Sequence, residues 1–137
     1  MSIIYTDGSY RNKKCGFGVV ITDGTNIKSE HFGEIPNGTN NIGELTAILK
    51  AIQLSTGKIT ICSDSLYCIN SLTMWYKNWE TNNWKTSNKK NVKNKDLICL
   101  ILKLKTNRDI TFKHIKAHSG VEFNERADFL ANKCTKS

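Results

Sequence analysis

Apolar positions along the chain fall into short runs that alternate with stretches of helical spacing. Ile3-Ile4-Tyr5 ahead of Thr6-Asp7-Gly8-Ser9 predicts a buried strand that ends by carrying Asp7 into solvent at its carboxyl end. A polar, basic turn over Arg11 to Lys14 leads to a second strand, Cys15 to Thr22, and Asp23-Gly24 marks a hairpin. A more polar third strand is expected from Asn26 to Ile35, closed by Pro36-Asn37-Gly38. Thr39-Asn40-Asn41 then offers N-capping side chains to a helix in which Leu45, Ile48 and Ile52 recur on one face to about Ser55, with Gly57 as its cap. Glu44 lies at the edge of that stripe, able to face a sheet while staying wet. Lys58 to Ser63 is a compact strand that stops at Asp64-Ser65, repeating the order seen at Asp7: apolar strand, Asp, small residue. Because this strand is reached through a helix, it is expected to run parallel to the first, so that both Asp side chains leave the same edge of the sheet.

A second helix is predicted from Ser65 to about Trp75, and an apolar one over Leu97, Ile98, Leu100, Ile101, Leu102 and Leu104. Asp109 to Ile115 is the last strand, followed by a loop carrying His118. Phe123, Ala127, Leu130 and Cys134 define a C-terminal helix, with Asp128 off their stripe between the small neighbours Asn124 and Ala131. The pattern is that of an α/β domain. Its 137 residues suffice for one core without staples, and a single domain over residues 1–137 is expected.

Composition adds three constraints. With no basic leader and no apolar run near the ~18 residues of a membrane span, the chain is expected to be soluble, cytoplasmic and free of any membrane. The five cysteines, odd in number and never spaced as CxxC, read as reduced core thiols. The net charge of +8 suits a polyanion, although 17 of the 20 basic residues are Lys and the Asn- and Ile-rich composition matches an AT-rich genome. The charge is not evenly spread. Five lysines and no acid lie between Lys85 and Lys95, directly after all three tryptophans, Trp75, Trp79 and Trp84. A solvated loop whose tryptophans pack inward explains that segment in part; aromatic faces beside cations such as Lys89 and Lys90 fit a nucleic-acid backbone better.

Alone, Asp7 is explained as a turn residue and Glu44 as a first-turn acid favoured by the helix dipole. Together with Asp64 and Asp128 they become four carboxylates without arginine partners, which repel one another unless a cation lies among them. Oxygen-only donors suit Mg²⁺ or Mn²⁺, and two such ions support in-line phosphodiester hydrolysis. Walker A, dinucleotide-binding, G-x-S-x-G and H-E-x-x-H patterns are missing from the sequence.

Five blocks carry a resemblance: Tyr5-Thr6-Asp7-Gly8-Ser9; Thr39 to Leu45; Ser63-Asp64-Ser65; Trp75 to Asn94; and His114 to Gly120 with Asn124-Glu125-Arg126-Ala127-Asp128. In this order and spacing the chain resembles type 1 ribonuclease H, in its stand-alone form. The resemblance implies a ribonuclease H-like fold, a five-stranded mixed sheet of three antiparallel strands and two parallel additions, flanked by helices on both faces. It also implies endonucleolytic cleavage of the RNA strand of an RNA-DNA hybrid, with 5′-phosphate and 3′-hydroxyl ends. The family's four metal-binding carboxylates fall on Asp7, Glu44, Asp64 and Asp128, and its mobile histidine, linked to proton transfer or product departure, on His118. Its DNA-strand groove falls on Trp75, Trp79 and Ser87, its DNA phosphate pocket on Thr39 and Asn94, and its minor-groove contacts on Asn40 and Asn41. No obligate protein partner is implied, and a monomer is expected. Four departures bear on substrate affinity: a shortened turn after Ser9, Leu66 where many members have Gln, Asn37 where the phosphate pocket often has Arg, and Glu80-Thr81-Asn82-Asn83 in place of a usually basic stretch. The competing expectations are a DNA-acting nuclease or integrase-like member of the same superfamily, and a hybrid-binding module with impaired catalysis.

Overall fold

The computed structural model describes residues 1–133 and 135. At its centre is a five-stranded sheet in the order β3-β2-β1-β4-β5. β1 (Ser2–Arg11), β2 (Lys14–Thr22) and β3 (Ile27–Ile35) are antiparallel, while β4 (Ile59–Ser63) and β5 (Ile110–His114) add in parallel on the far side of β1. The mixed sheet anticipated from the sequence is the one observed.

β1 departs from expectation in a way that defines the site. Instead of ending at Asp7 it runs on to Arg11, with Asp7 opposite Gly18 and Ser9 opposite Gly16 of β2. Its parallel neighbour β4 stops earlier, with Ser63 opposite Thr6. Asp7 is therefore the first β1 residue beyond the end of β4, and it is buried at 6% exposure rather than displayed to solvent. The turn beyond it is also tighter than predicted. Asn12 and Lys13, with φ of 54° and 62°, make a two-residue connection between Arg11 and Lys14.

Gly8 lies within β1, opposite Phe17, and its role is close approach. The helix α1 (Asn40–Gln53) crosses β1 here so tightly that a Cβ on Gly8 would overlap the Glu44 nitrogen and the Gly43 carbonyl carbon. Replacing Gly8 by Ala is expected to cost ~1–3 kcal/mol by forcing α1 off the sheet, seen as a lower urea midpoint. An unchanged midpoint would mean that the helix yields freely. Thr39 caps α1 as anticipated, its hydroxyl accepting from the Ile42 amide at 3.2 Å. Gly57 does not cap it. The helix closes at Leu54, and Gly57, at φ 68°, turns the chain toward β4.

On the α1 face the core joins Leu45, Ile48 and Ile52 to Ile4, Val19, Ile59 and Ile61. The second predicted helix does not end at Trp75. α2 (Leu66–Asn70), capped by the Ser65 hydroxyl, passes through a π-helical turn (Ser71–Trp75) into α3 (Tyr76–Thr81). α4 (Lys95–Lys105) buries Ile98 and Ile101 in the same core but leaves Leu100 exposed, so its apolar run is only partly core. On the opposite face lies α5 (Glu122–Asn132), which packs Ala127 and Leu130 against Val20, with Tyr5 and Phe123 at the margin. The Arg126 guanidinium ties this helix to Glu30 of β3 through two hydrogen bonds, at 2.5 and 3.0 Å. Cys15, Cys62 and Cys68 are buried free thiols and Cys99 is a half-buried one; Cys134, the predicted end of the α5 stripe, lies outside the described residues. Among the described residues, no helix is long and apolar enough to cross a membrane.

Candidate active site

The end of β4 beside the continuing β1 leaves a notch, and the carboxylates meet there. Asp7 comes from β1, Asp64 from the residue after β4, and Glu44 from the first turns of α1. Each places a carboxylate oxygen within 4.8 Å of the other two. The Gly8 amide joins two of them, donating to Asp7 Oδ1 at 2.9 Å and to Glu44 Oε1 in a very short contact. The glycine that admits α1 thus also supplies the donor that orients its acid. Glu44, expected at a wet edge, is 6% exposed because α1 is pressed so closely onto β1.

Asp128 stands outside this triangle on α5, close enough to raise the pKa of both Asp7 and Asp64. Its Oδ1 accepts from Asn132 Nδ2 at 3.2 Å. All four acids predicted from the sequence therefore converge, three as a tight group and one beside it.

The electrostatics record the cost of this gathering. Burial pushes Asp7 up to about 7, helped by the charges of Asp64 and Asp128 and opposed by its hydrogen bond with Glu44. Glu44 is pushed up as well, by burial and then by its hydrogen bond to Asp7 and that residue's charge, so the two carboxyl groups share a proton. Asp64 is raised by burial and by Asp128, while hydrogen bonding to Glu44 and nearby His118 pull it down. Among the described residues, no Lys or Arg forms an ion pair with these acids. An oxygen-only, uncompensated and proton-sharing donor set fits a hard divalent cation, which would displace the proton and offset the repulsion.

His118 occupies an exposed loop at φ 53°, a turn steadied by the Ser119 hydroxyl donating to the Lys116 carbonyl at 2.7 Å. Asn40 and Asn41 are exposed on the first turn of α1, beside the capping Thr39. Trp75 and Trp79 belong to an aromatic series with ring centroids 6.4 Å apart from Tyr67 to Trp75, 6.1 Å from Trp75 to Trp79 and 5.9 Å from Trp79 to Trp84. Tyr67 was not anticipated. Its hydroxyl accepts from Asn94 Nδ2 at 3.0 Å, joining the aromatic series to the residue that precedes α4. The spacing Tyr67, Trp75, Trp79 along one helical run was the available signal, masked because the run was expected to end at Trp75.

The basic segment is a folded loop. Lys85 pairs with Asn91 across it, the Thr86 amide donates to the Lys90 carbonyl at 2.8 Å, and Val92 is buried as its anchor. Ser87, Lys89 and Lys90 are exposed on it, and Asn94 ends it in a left-handed conformation at the start of α4.

A family model described as RNase H matches residues 1–136. The chain is 40% identical over 139 residues to a ribonuclease H from Chlorobium phaeobacteroides, covering 98% of this chain and 94% of that one. It is 42% identical over 135 residues to a ribonuclease H from Francisella philomiragia, covering 96% and 88%. The crystal structure of LC11-RNase H1 in complex with RNA/DNA hybrid is similar with a TM-score of 0.72 at 27% identity, over 98% of this chain and 96% of that one. A whole-chain match to the family model, relatives at 40% identity and above, and a notch of acids at the end of β4 agree: the chain belongs to the ribonuclease H family.

Proposed function

We propose that this chain is a metal-dependent endoribonuclease that hydrolyses the RNA strand of RNA-DNA hybrids, leaving 5′-phosphate and 3′-hydroxyl ends. The observation that carries the reading is the group formed by Asp7, Glu44 and Asp64, with Asp128 beside it and no basic residue paired to them among the described residues. Two Mg²⁺ ions, or Mn²⁺ in their place, would supply charge neutralisation and water activation for phosphodiester hydrolysis. Asp7, Glu44, Asp64 and Asp128 would hold them. The Asp7 and Glu44 pair would have to give up its shared proton to serve as ligands, so cation binding would be favoured as pH rises. His118, on an exposed loop near Asp64, moves a proton or assists departure of the product.

Residues outside the carboxylate group hold the substrate. Asn40 and Asn41 face the minor groove, where a 2′-hydroxyl distinguishes RNA from DNA. Trp75, Trp79 and Ser87 line the path of the DNA strand, and Thr39 and Asn94 receive one of its phosphates. Lys89 and Lys90 add affinity without reading sequence. The reading includes a single domain over residues 1–137, acting as a monomer in the cytoplasm.

Cleavage of a labelled hybrid in Mg²⁺ tests the activity, with Asp7→Asn as the control. The loop has its own test. Replacing Lys89, Lys90 and Lys93 together by Ala is expected to reduce the slope of log affinity against log salt by roughly one to three, measured by hybrid binding in Ca²⁺. An unchanged slope would remove these lysines from the interface.

A further inference from the structure

Asp128 is the outlier of the four acids. It comes from α5, a helix on the other face of the sheet from α1, and meets the triangle of Asp7, Glu44 and Asp64 from outside, through a side-chain hydrogen bond with Asp7. From its own helix it is held by Asn132, one turn further along α5. The Asn132 Nδ2 donates both to the Asp128 carbonyl at 2.9 Å and to Asp128 Oδ1 at 3.2 Å. Its Oδ1 in turn accepts from the Ser9 hydroxyl at 2.6 Å. Ser9 is 7% exposed and lies two residues beyond Asp7 on β1, so its side chain shares the face that carries Asp7. Thr135, fully buried, closes the group with its hydroxyl 3.1 Å from that of Ser9.

The direction of the amide is dictated by its partners. A carboxylate can only accept, so the NH₂ must face Asp128 and the carbonyl oxygen must take the Ser9 proton. A side-chain chain therefore runs from β1 to α5, from Ser9 through Asn132 to Asp128. It couples the fourth acid to the strand that carries the first.

We propose that Asn132, anchored by Ser9, is a positioning residue that aims Asp128 at the carboxylate group and thereby sets the divalent-cation affinity of the site. The inference rests on the ribonuclease reading for what the site is used for, but cation binding tests it without catalysis. Partners that orient a ligand in this way typically govern metal affinity by about 10- to 100-fold.

The experiment is Mn²⁺ titration by calorimetry of the whole chain, in parallel with hybrid cleavage over a range of Mn²⁺ concentrations. Asn132→Ala is expected to weaken Mn²⁺ binding by about tenfold or more. Its cleavage deficit should be recovered by added Mn²⁺ while KM for the hybrid stays unchanged. Ser9→Ala should shift Mn²⁺ binding in the same direction by less, and the double variant should bind Mn²⁺ no more weakly than Asn132→Ala alone, because both act through one bond chain. A merely structural role would lower the melting temperature in EDTA and leave the Mn²⁺ dependence unmoved. Mn²⁺ affinity within twofold of wild type in Asn132→Ala would overturn the proposal. If Asn132→Ala does not fold, an unchanged Mn²⁺ affinity in Ser9→Ala overturns it equally. Absence of hybrid cleavage by wild type, with the affinity shift present, would instead overturn only the ribonuclease reading.

Discussion

Asn in place of Asp7 is expected to lower Mg²⁺-dependent cleavage of an RNA-DNA hybrid by at least about 10³-fold, roughly 4 kcal/mol of transition-state stabilisation. Asp7 interacts with each of the other three acids. It occupies the first β1 position past the end of β4, where the notch opens. Asn can keep the bond from the Gly8 amide and nearly the same volume, so the backbone that carries Gly8 and Glu44 has no reason to move. What is lost is one full negative charge at the centre of the group. Initial rates with matched circular dichroism spectra make the comparison, and activity within tenfold of wild type would remove Asp7 from its assigned role.

The same substitution is expected to stabilise the metal-free protein. Burial raises Asp7 from an ordinary value of 3.8 to about 7, and Glu44 and Asp64 are raised with it. A carboxyl group whose pKa is raised on folding binds its proton more tightly in the folded than in the unfolded state. Its favourable contribution is complete below the unfolded value near 4 and is lost as pH rises through about 7. In EDTA the wild type should therefore lose stability between pH 4 and 8. Asp7→Asn removes one acid from the repulsive group and should flatten that decline, leaving the variant ~1–3 kcal/mol more stable than wild type at pH 8. Mg²⁺ should narrow the difference by stabilising wild type selectively. Thermal melts at pH 5 and pH 8, with and without Mg²⁺, measure all four values. A variant less stable than wild type at pH 8 in EDTA would contradict the account of strained acids. Catalytic capacity and metal-free stability are set against each other at Asp7.

Much of this site is legible in the sequence because its acids follow strong local signals. Asp7 and Asp64 close apolar runs of the same grammar, Glu44 follows an N-capping cluster, and Asp128 follows a clear helical stripe. Strand order also follows from connection type, hairpins giving antiparallel neighbours and the helical crossover a parallel one. Tertiary packing accounts for the misses. Gly8 signals a turn by composition, yet its lack of a side chain is used to admit α1, and this buries both Asp7 and Glu44. The continuation of β1 to Arg11 depends on pairing with β2, which a local pattern does not register. A π-helical turn carries the second helix past Trp75, where the composition of the chain changes and an end is expected. The link from Ser9 to Asn132 joins residues 123 positions apart and has no local signature.

The central claim, hydrolysis of RNA within an RNA-DNA hybrid, is tested most directly by incubating the purified chain in Mg²⁺ with four substrates of one sequence: hybrid, single-stranded RNA, duplex RNA and duplex DNA. The account predicts internal cuts in the RNA strand of the hybrid alone, with 5′-phosphate and 3′-hydroxyl ends and no cleavage in EDTA. Duplex DNA cut as fast as hybrid, or tight hybrid binding without cleavage in either Mg²⁺ or Mn²⁺, would contradict it.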